Sequence, residues 1–268
     1  MIQVRLWNDC YNNCSFCSLK DKTHKWTSIE HKKARINKLL ELEEDKIGLI
    51  GGEFFEGQLR GVEKEWFNMI RNIRCDKLFI TANLINQQYL LEETLLARPD
   101  ILFCTSYDTL GRFKNDIQKI NWLNWINTLP NVFCTIIPTQ DMIEDPFIDN
   151  IKCGINLCEP HLGIEWYKQI DKAHYHENLI RDNELFNLPK RKDLLTWISK
   201  HKNVLNLMKN YEVTHFDTIL GFDENNNFCY ESYNRFKDNN FIAECGRPYF
   251  SRCYADSDKC LCCDLEEI

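Results

Sequence analysis

Three cysteines stand close behind the N-terminus, Cys10, Cys14 and Cys17, spaced C-x3-C-x2-C with the aromatic Phe16 just before the third. Three thiolates on one short loop can wrap a single [4Fe–4S] cube and leave its fourth iron without a protein ligand. An iron left open in this way is reactive, because a small molecule can take the remaining position. Zinc is the alternative, since thiolates suit it too. A closed zinc site takes four ligands, commonly as two pairs of closely spaced cysteines; here His24 would have to serve as the fourth.

A second feature is Gly51-Gly52-Glu53, directly after the apolar run at 46–50. Paired glycines permit backbone conformations closed to other residues and a close approach to a ligand. Polar residues also end other apolar runs: Thr81 and Asn83, Ser106-Tyr107-Asp108, Thr139 and Gln140, and Glu159-Pro160-His161. Taken plainly, such residues cap strands and open loops. Beside a reactive centre, carboxylates and imidazoles could instead position a substrate or move a proton, which makes Glu159 and His161 the candidate catalytic residues. His174 and His176 around Tyr175 read as solvated loop, and Lys190-Arg191-Lys192 as a charged helix start.

These residues need a scaffold that brings strand ends together. Strands are expected at 2–7, 46–50, 77–81, 101–105, 131–137 and 151–157. Each is apolar throughout, as parallel strands covered on both faces are. Amphipathic helices lie between them. Leu59, Val62, Trp66, Met69, Ile70 and Ile73 mark one buried face; Ile117, Ile120, Leu123, Trp125 and Ile126 mark another. Six such units imply an α/β protein with a (β/α)6 partial TIM barrel and right-handed crossovers. The expected division is a core at 1–162, a mainly helical connection at 163–215 and a small Cys-rich auxiliary domain at 216–268. The connection carries a helix at about 192–209, with Leu195, Ile198, Val204, Leu205 and Met208 inward. The last unit opens with a hairpin, 216–222 and 228–230 around the turn Asp223-Glu224-Asn225-Asn226.

The chain has 268 residues and is 44% hydrophobic, enough for a sizeable core. No run reaches the ~20 apolar residues of a membrane span, and nothing at the N-terminus resembles an export signal, so a cytoplasmic location is expected. The net charge of −7 argues against a general nucleic-acid surface. Fourteen cysteines in such a chain point to metal or cluster ligation rather than to a disulfide framework. Cys75, Cys104, Cys134, Cys153 and Cys158 sit singly in or beside apolar runs and read as small core residues. Six more, Cys229, Cys245, Cys253, Cys260, Cys262 and Cys263, fall in a tail with little apolar material. Such a segment needs a staple, and bound metal can supply one.

The cysteine motif, the glycine pair after the second strand and the β/α rhythm together resemble the radical S-adenosylmethionine (radical SAM) superfamily. The likeness covers about 1–160. It implies that SAM chelates the open iron through its amino and carboxylate groups. An electron from the cluster then splits the sulfonium, and the 5′-deoxyadenosyl radical abstracts a substrate hydrogen. It further implies that the backbone at Gly51 and Gly52 binds the SAM amino group with Glu53 as a nearby acceptor. Ser106, Asp108 and Thr139 would face the rest of the cofactor. The usual motif continues with proline, where this chain has Phe54.

The tail resembles in kind the Twitch and SPASM extensions, which hold auxiliary clusters. It lacks a cysteine ahead of the hairpin, so one second [4Fe–4S] cluster is expected. Its expected ligands are Cys245, Cys253, Cys260 and Cys263, with Cys229 and Cys262 as alternates and structural zinc as the other occupant. Relatives of this kind imply a peptide or protein side chain as substrate, with a nucleotide or small metabolite as the alternative. A reductase such as flavodoxin or ferredoxin would supply electrons. The rival from another class is a non-catalytic zinc-binding adaptor.

Overall fold

The computed structural model describes residues 2–12, 26–108, 111–136, 139–157, 191–201 and 218–233. Strands β1 (Ile2–Arg5), β2 (Lys46–Ile50), β3 (Lys77–Thr81), β4 (Leu102–Tyr107), β5 (Val132–Ile136) and β6 (Gly154–Leu157) alternate with five helices. These are α1 (Ile29–Lys38), α2 (Glu63–Asn72), α3 (Gln88–Ala97), α4 (Asp116–Ile126) and the single turn α5 (Gln140–Ile143). A later helix, α6 (Arg191–Lys200), precedes the hairpin β7 (Thr218–Phe222) and β8 (Phe228–Tyr233).

The strands form one sheet ordered β6-β5-β4-β3-β2-β1-β7-β8, parallel throughout except for β8 against β7. From β1 to β6 the order never reverses. A doubly wound sheet turns back at a switch point; a sequential one with crossovers of one hand keeps its helices on one side, as in a barrel wall. Accordingly α1 packs on α2 and α2 on α3. The centres of β2 and β3 are buried three residues deep, Ile47 to Leu49 and Leu78 to Ile80. That burial explains why both strands read as unbroken apolar runs.

Two expectations are corrected. In α4 the inward residues are Trp122, Leu123 and Ile126, whereas Ile117 and Ile120 are 71% and 43% exposed. The rotation is set by Trp122. Its indole Nε1 donates to the Asn83 carbonyl at 2.9 Å, and its ring meets Tyr107 and Phe113. Helix α6 stops at Lys200, where the His201 N–H bonds back to the Ile198 carbonyl and its ring sits between the Trp197 carbonyl and Asp149 Oδ1. Ile198 is buried as expected, while 202–217 lie outside the described residues.

The hairpin forms about the expected turn, with Asp223 Oδ1 accepting from the N–H groups of Asn225 and Asn227. It does not stand apart from the core. Strand β7 adds in parallel to the free side of β1, satisfying backbone groups that an edge strand would leave unpaired. The turn is fixed to α1, since Asn226 Oδ1 lies 2.8 Å from His31 Nδ1 and accepts from Arg35 Nε at 3.1 Å. Among the described residues no helix is long and apolar enough to cross a membrane.

Candidate functional site

The ends of β1, β2, β3 and β4 make a common rim. Past the last strand residues, the pairing of β1 with β2 continues. The N–H groups of Leu6, Gly52 and Glu53 donate to the carbonyls of Ile50, Trp7 and Asp9 at 3.1, 2.9 and 2.9 Å. Cys10 therefore leaves the sheet at this rim, half-buried, and the Asn12 N–H points at its Sγ from 3.4 Å. Cys14, Cys17 and His24 lie outside the described residues.

The same pairing accounts for the glycines. A Cβ on Gly51 would stand 2.4 Å from the Trp7 carbonyl oxygen. One on Gly52 would stand 2.1 Å from that of Asp9 and 2.5 Å from that of Asn8. Neither residue has positive φ. Their lack of a side chain is thus required by close approach of the chain's own backbone at 7–9, the stretch that launches Cys10. The sequence expectation of unusual backbone conformation at these glycines is corrected.

Glu53 turns inward and is 1% exposed. Its Oε1 accepts from the N–H groups of Phe54 and Phe55 at 2.9 and 3.1 Å, and its Oε2 from Asn83 N–H at 2.6 Å. One carboxylate thereby ties the β2 rim to the β3 rim. The Phe54 N–H explains why proline is absent here: proline would remove a donor that this carboxylate uses. The Phe54 ring fills the space between Trp7 and Trp66.

Burial pushes the Glu53 pKa from 4.5 up to about 7, against the pull of the N–H donors of Asn83, Phe55 and Phe54. A raised folded-state pKa means the folded chain holds the proton longer. The stabilising contribution is complete below about pH 4.5 and is lost as pH rises through about 7, a difference on the order of 3 kcal/mol. Unfolding measured across that window should show this slope in the native chain and lose it in Glu53→Gln. The variant should also be about 1–3 kcal/mol less stable, because its amide NH2 would face the Asn83 N–H.

Farther along the rim, Arg112 joins two residues singled out in sequence. Its Nε donates to Asp108 Oδ2 and its Nη2 to Ser106 Oγ, each at 2.7 Å. Asp108 is buried and so is most of Arg112, so the pair is a desolvated one. Next to it the Tyr107 hydroxyl donates to Asp145 Oδ2, which also takes Lys119 Nζ at 3.2 Å. Burial raises the Tyr107 pKa, keeping it a neutral donor. Thr139 caps α5, its hydroxyl accepting from the Met142 N–H at 3.1 Å. Gly51 to Glu53, Ser106 and Asp108 thus share one rim, with the Ser106 and Asp108 side chains engaged by Arg112. Glu159 and His161 lie outside the described residues, as do Cys245, Cys253, Cys260, Cys262 and Cys263. Cys229 is on β8, half-buried. Of the isolated cysteines, Cys134 is buried, Cys75, Cys104 and Cys153 are half-buried, and Cys158 is outside the described residues. Among the described residues no three metal-ligating side chains stand together.

Sequence reasoning missed the residues that brace this rim. Asp9, 3% exposed, precedes Cys10 and is ion-paired to Lys32 Nζ at 2.9 Å. Lys32 lies within the charged run His31-Lys32-Lys33 of α1, yet it is 6% exposed and also donates to the Gln58 carbonyl at 3.1 Å. The only available signal was a carboxylate directly ahead of the first motif cysteine. Arg112 gave none. Several buried polar atoms at or just beyond the first three strand ends have no hydrogen-bond partner among the described residues: Asn8 Oδ1, Glu56 Oε2, Asn83 Nδ2 and both amide atoms of Gln58. Such atoms are destabilising unless something polar reaches them.

No protein-family model and no curated protein matches the chain. Among solved structures it is similar to Streptococcus suis SuiB, at 14% identity and a TM-score of 0.46, over 85% of this chain and 59% of that one. It is similar to the same protein bound to S-adenosylmethionine, at 15% identity and 0.42, over 58% and 38%. A third is native anSMEcpe with bound AdoMet and a peptide, at 10% identity and 0.44, over 81% of this chain and 62% of that one. The chain therefore spans less than two thirds of the length of each.

Proposed function

We propose that the chain is a radical SAM enzyme whose Cys10, Cys14 and Cys17 hold a [4Fe–4S] cluster at the rim of the β/α sheet. The observation that carries this reading is the seating of the motif. Cys10 leaves the end of β1 against a glycine pair that has no room for a side chain. The donors present fit such a cluster. Three thiolates lie within eight residues, and a backbone N–H directed at the Cys10 sulfur favours its anionic form. Buried polar atoms at or just beyond the ends of β1, β2 and β3 that lack a partner among the described residues fit a polar cofactor beside it.

When bound, such a cluster supplies the electron that splits SAM and so generates the radical that takes a substrate hydrogen. The chain's own residues hold the parts in place. The backbone at Gly51 and Gly52 fixes the strand from which Cys10 springs, and the Glu53 carboxylate locks the adjoining β2 and β3 loops. Arg112 holds Ser106 and Asp108 in fixed positions where the remainder of the cofactor would lie. The substrate in this reading is a peptide or protein side chain. The tail cysteines Cys245, Cys253, Cys260 and Cys263 carry an auxiliary cluster, and a flavodoxin or ferredoxin in the cytoplasm gives the electrons. These finer assignments rest on the resemblance of the motif and tail.

The test is incubation of anaerobically prepared, iron-loaded protein with dithionite and SAM, followed by chromatography for 5′-deoxyadenosine and methionine. Both are expected in equal amounts. A loaded sample that leaves SAM intact would overturn the proposal.

A further inference from the structure

Asp9 has more donors than a strand-end residue needs. Its Oδ1 accepts from the Thr27 N–H at 3.0 Å and from the Thr27 hydroxyl at 3.0 Å. Its Oδ2 accepts from the same N–H at 3.2 Å and from Lys32 Nζ at 2.9 Å. Thr27 is eighteen residues further on. Asp9 and Thr27 thus stand at the two feet of the segment 10–26, which contains all three motif cysteines.

Three other contacts fix this tie. The Asp9 carbonyl accepts from the Glu53 N–H at 2.9 Å, anchoring one foot to the β2 rim. Ser28, next to Thr27, caps α1 through the His31 N–H, anchoring the other foot to a helix. On the outer side, the rings of Tyr11 and Trp26 meet with centroids 4.8 Å apart, closing the base a second time. Lys32 makes the tie durable. Its ammonium lies over the Trp7 ring and, among the described residues, bonds Asp9 and the Gln58 carbonyl, so the buried Asp9 carboxylate is held by a cation fixed to α1 as well as by Thr27.

We infer that Asp9 is a positioning residue that joins the two feet of the cysteine-bearing segment before iron arrives, with Lys32 as its counter-ion. Joining two points eighteen residues apart removes loop-closure entropy that cluster binding would otherwise have to overcome. This inference rests on the proposed function for what the loop holds, but not for the clamp itself.

Hydrogen–deuterium exchange on metal-free protein tests the clamp whether or not the chain binds iron. Asp9→Ala should raise exchange about ten-fold in 10–28 and leave β3 to β5 unchanged. Thr27→Val keeps the N–H and removes the hydroxyl, so a smaller rise confined to the same segment is expected; it also serves if Asp9→Ala does not fold. Lys33→Met, next to Lys32 on α1, removes the pair with Glu65 of α2 and leaves the clamp contacts in place, so exchange in 10–28 should not change. On loaded protein, iron release to a chelator should be about ten-fold faster in Asp9→Ala at temperatures where its far-ultraviolet spectrum is native. Native-like exchange in 10–28 for both clamp variants would overturn the inference. Fast exchange in a chain that takes up no iron would uphold the clamp and sink the proposed function instead.

Discussion

If the proposed function holds, Cys10→Ala is expected to fold and to form no 5′-deoxyadenosine from SAM and dithionite. The fall should be at least ~1000-fold, to the limit of detection, because the loss removes a component that acts as a unit with two others. Two thiolates cannot hold three corners of the cube. Folding should survive, since Cys10 is half-buried at a loop start and truncation there removes little packing. Cys14→Ala and Cys17→Ala should match it. Iron content, circular dichroism and product chromatography on the same samples separate loss of cluster from loss of fold. A Cys10→Ala protein with native product formation would remove Cys10 from the ligand set.

Gly52→Ala should have the largest effect on stability. The added methyl would lie 2.1 Å from the Asp9 carbonyl oxygen and 2.5 Å from that of Asn8. No flexible side chain can move aside; the atoms that must give way are backbone on both sides. That backbone is also paired, through the Gly52 N–H on Trp7 and the Glu53 N–H on Asp9. Overpacking of this kind destabilises by ~3 kcal/mol or more, which for a chain of this size lowers Tm by roughly 6–12 °C. The displacement falls on the residues that launch Cys10, so cluster retention should suffer beyond the stability loss. Gly51→Ala, at 2.4 Å from the Trp7 oxygen, should follow closely. Thermal unfolding with iron analysis measures both effects. A Gly52→Ala protein as stable as the native chain would mean that β1 and β2 do not approach as described.

The layout of the core was legible because burial on both faces writes itself into parallel strands as apolar runs. β2 and β3 fall at the expected residues, and β4 and β5 differ by a residue or two. The face of α4 was not legible. Its isoleucines satisfy the helical period, but a tryptophan with a buried carbonyl partner decided which side turned inward. The hairpin could be read, whereas its pairing to β1 could not, since strand partners are set by which edge is left open. At the site the glycines were found for an incomplete reason. Sequence suggests freedom of backbone; the structure gives contact with residues 7–9. Asp9, Lys32 and Arg112 escaped notice because a single charged residue reads as solvated until its burial is known. Phe54, which seemed only a departure from the usual proline, proves to supply an N–H that Glu53 uses.

The most direct measurement is electron paramagnetic resonance of anaerobically purified, dithionite-reduced protein, before and after SAM is added, with iron and zinc counted in the same sample. About four irons per chain are expected from the N-terminal motif, and about eight if the tail holds a cluster too. The reduced signal should change shape when SAM is added, because the nucleotide reaches an iron that no side chain occupies. A chain that carries zinc alone, or a cluster signal that SAM leaves untouched, would contradict an open iron held by Cys10, Cys14 and Cys17.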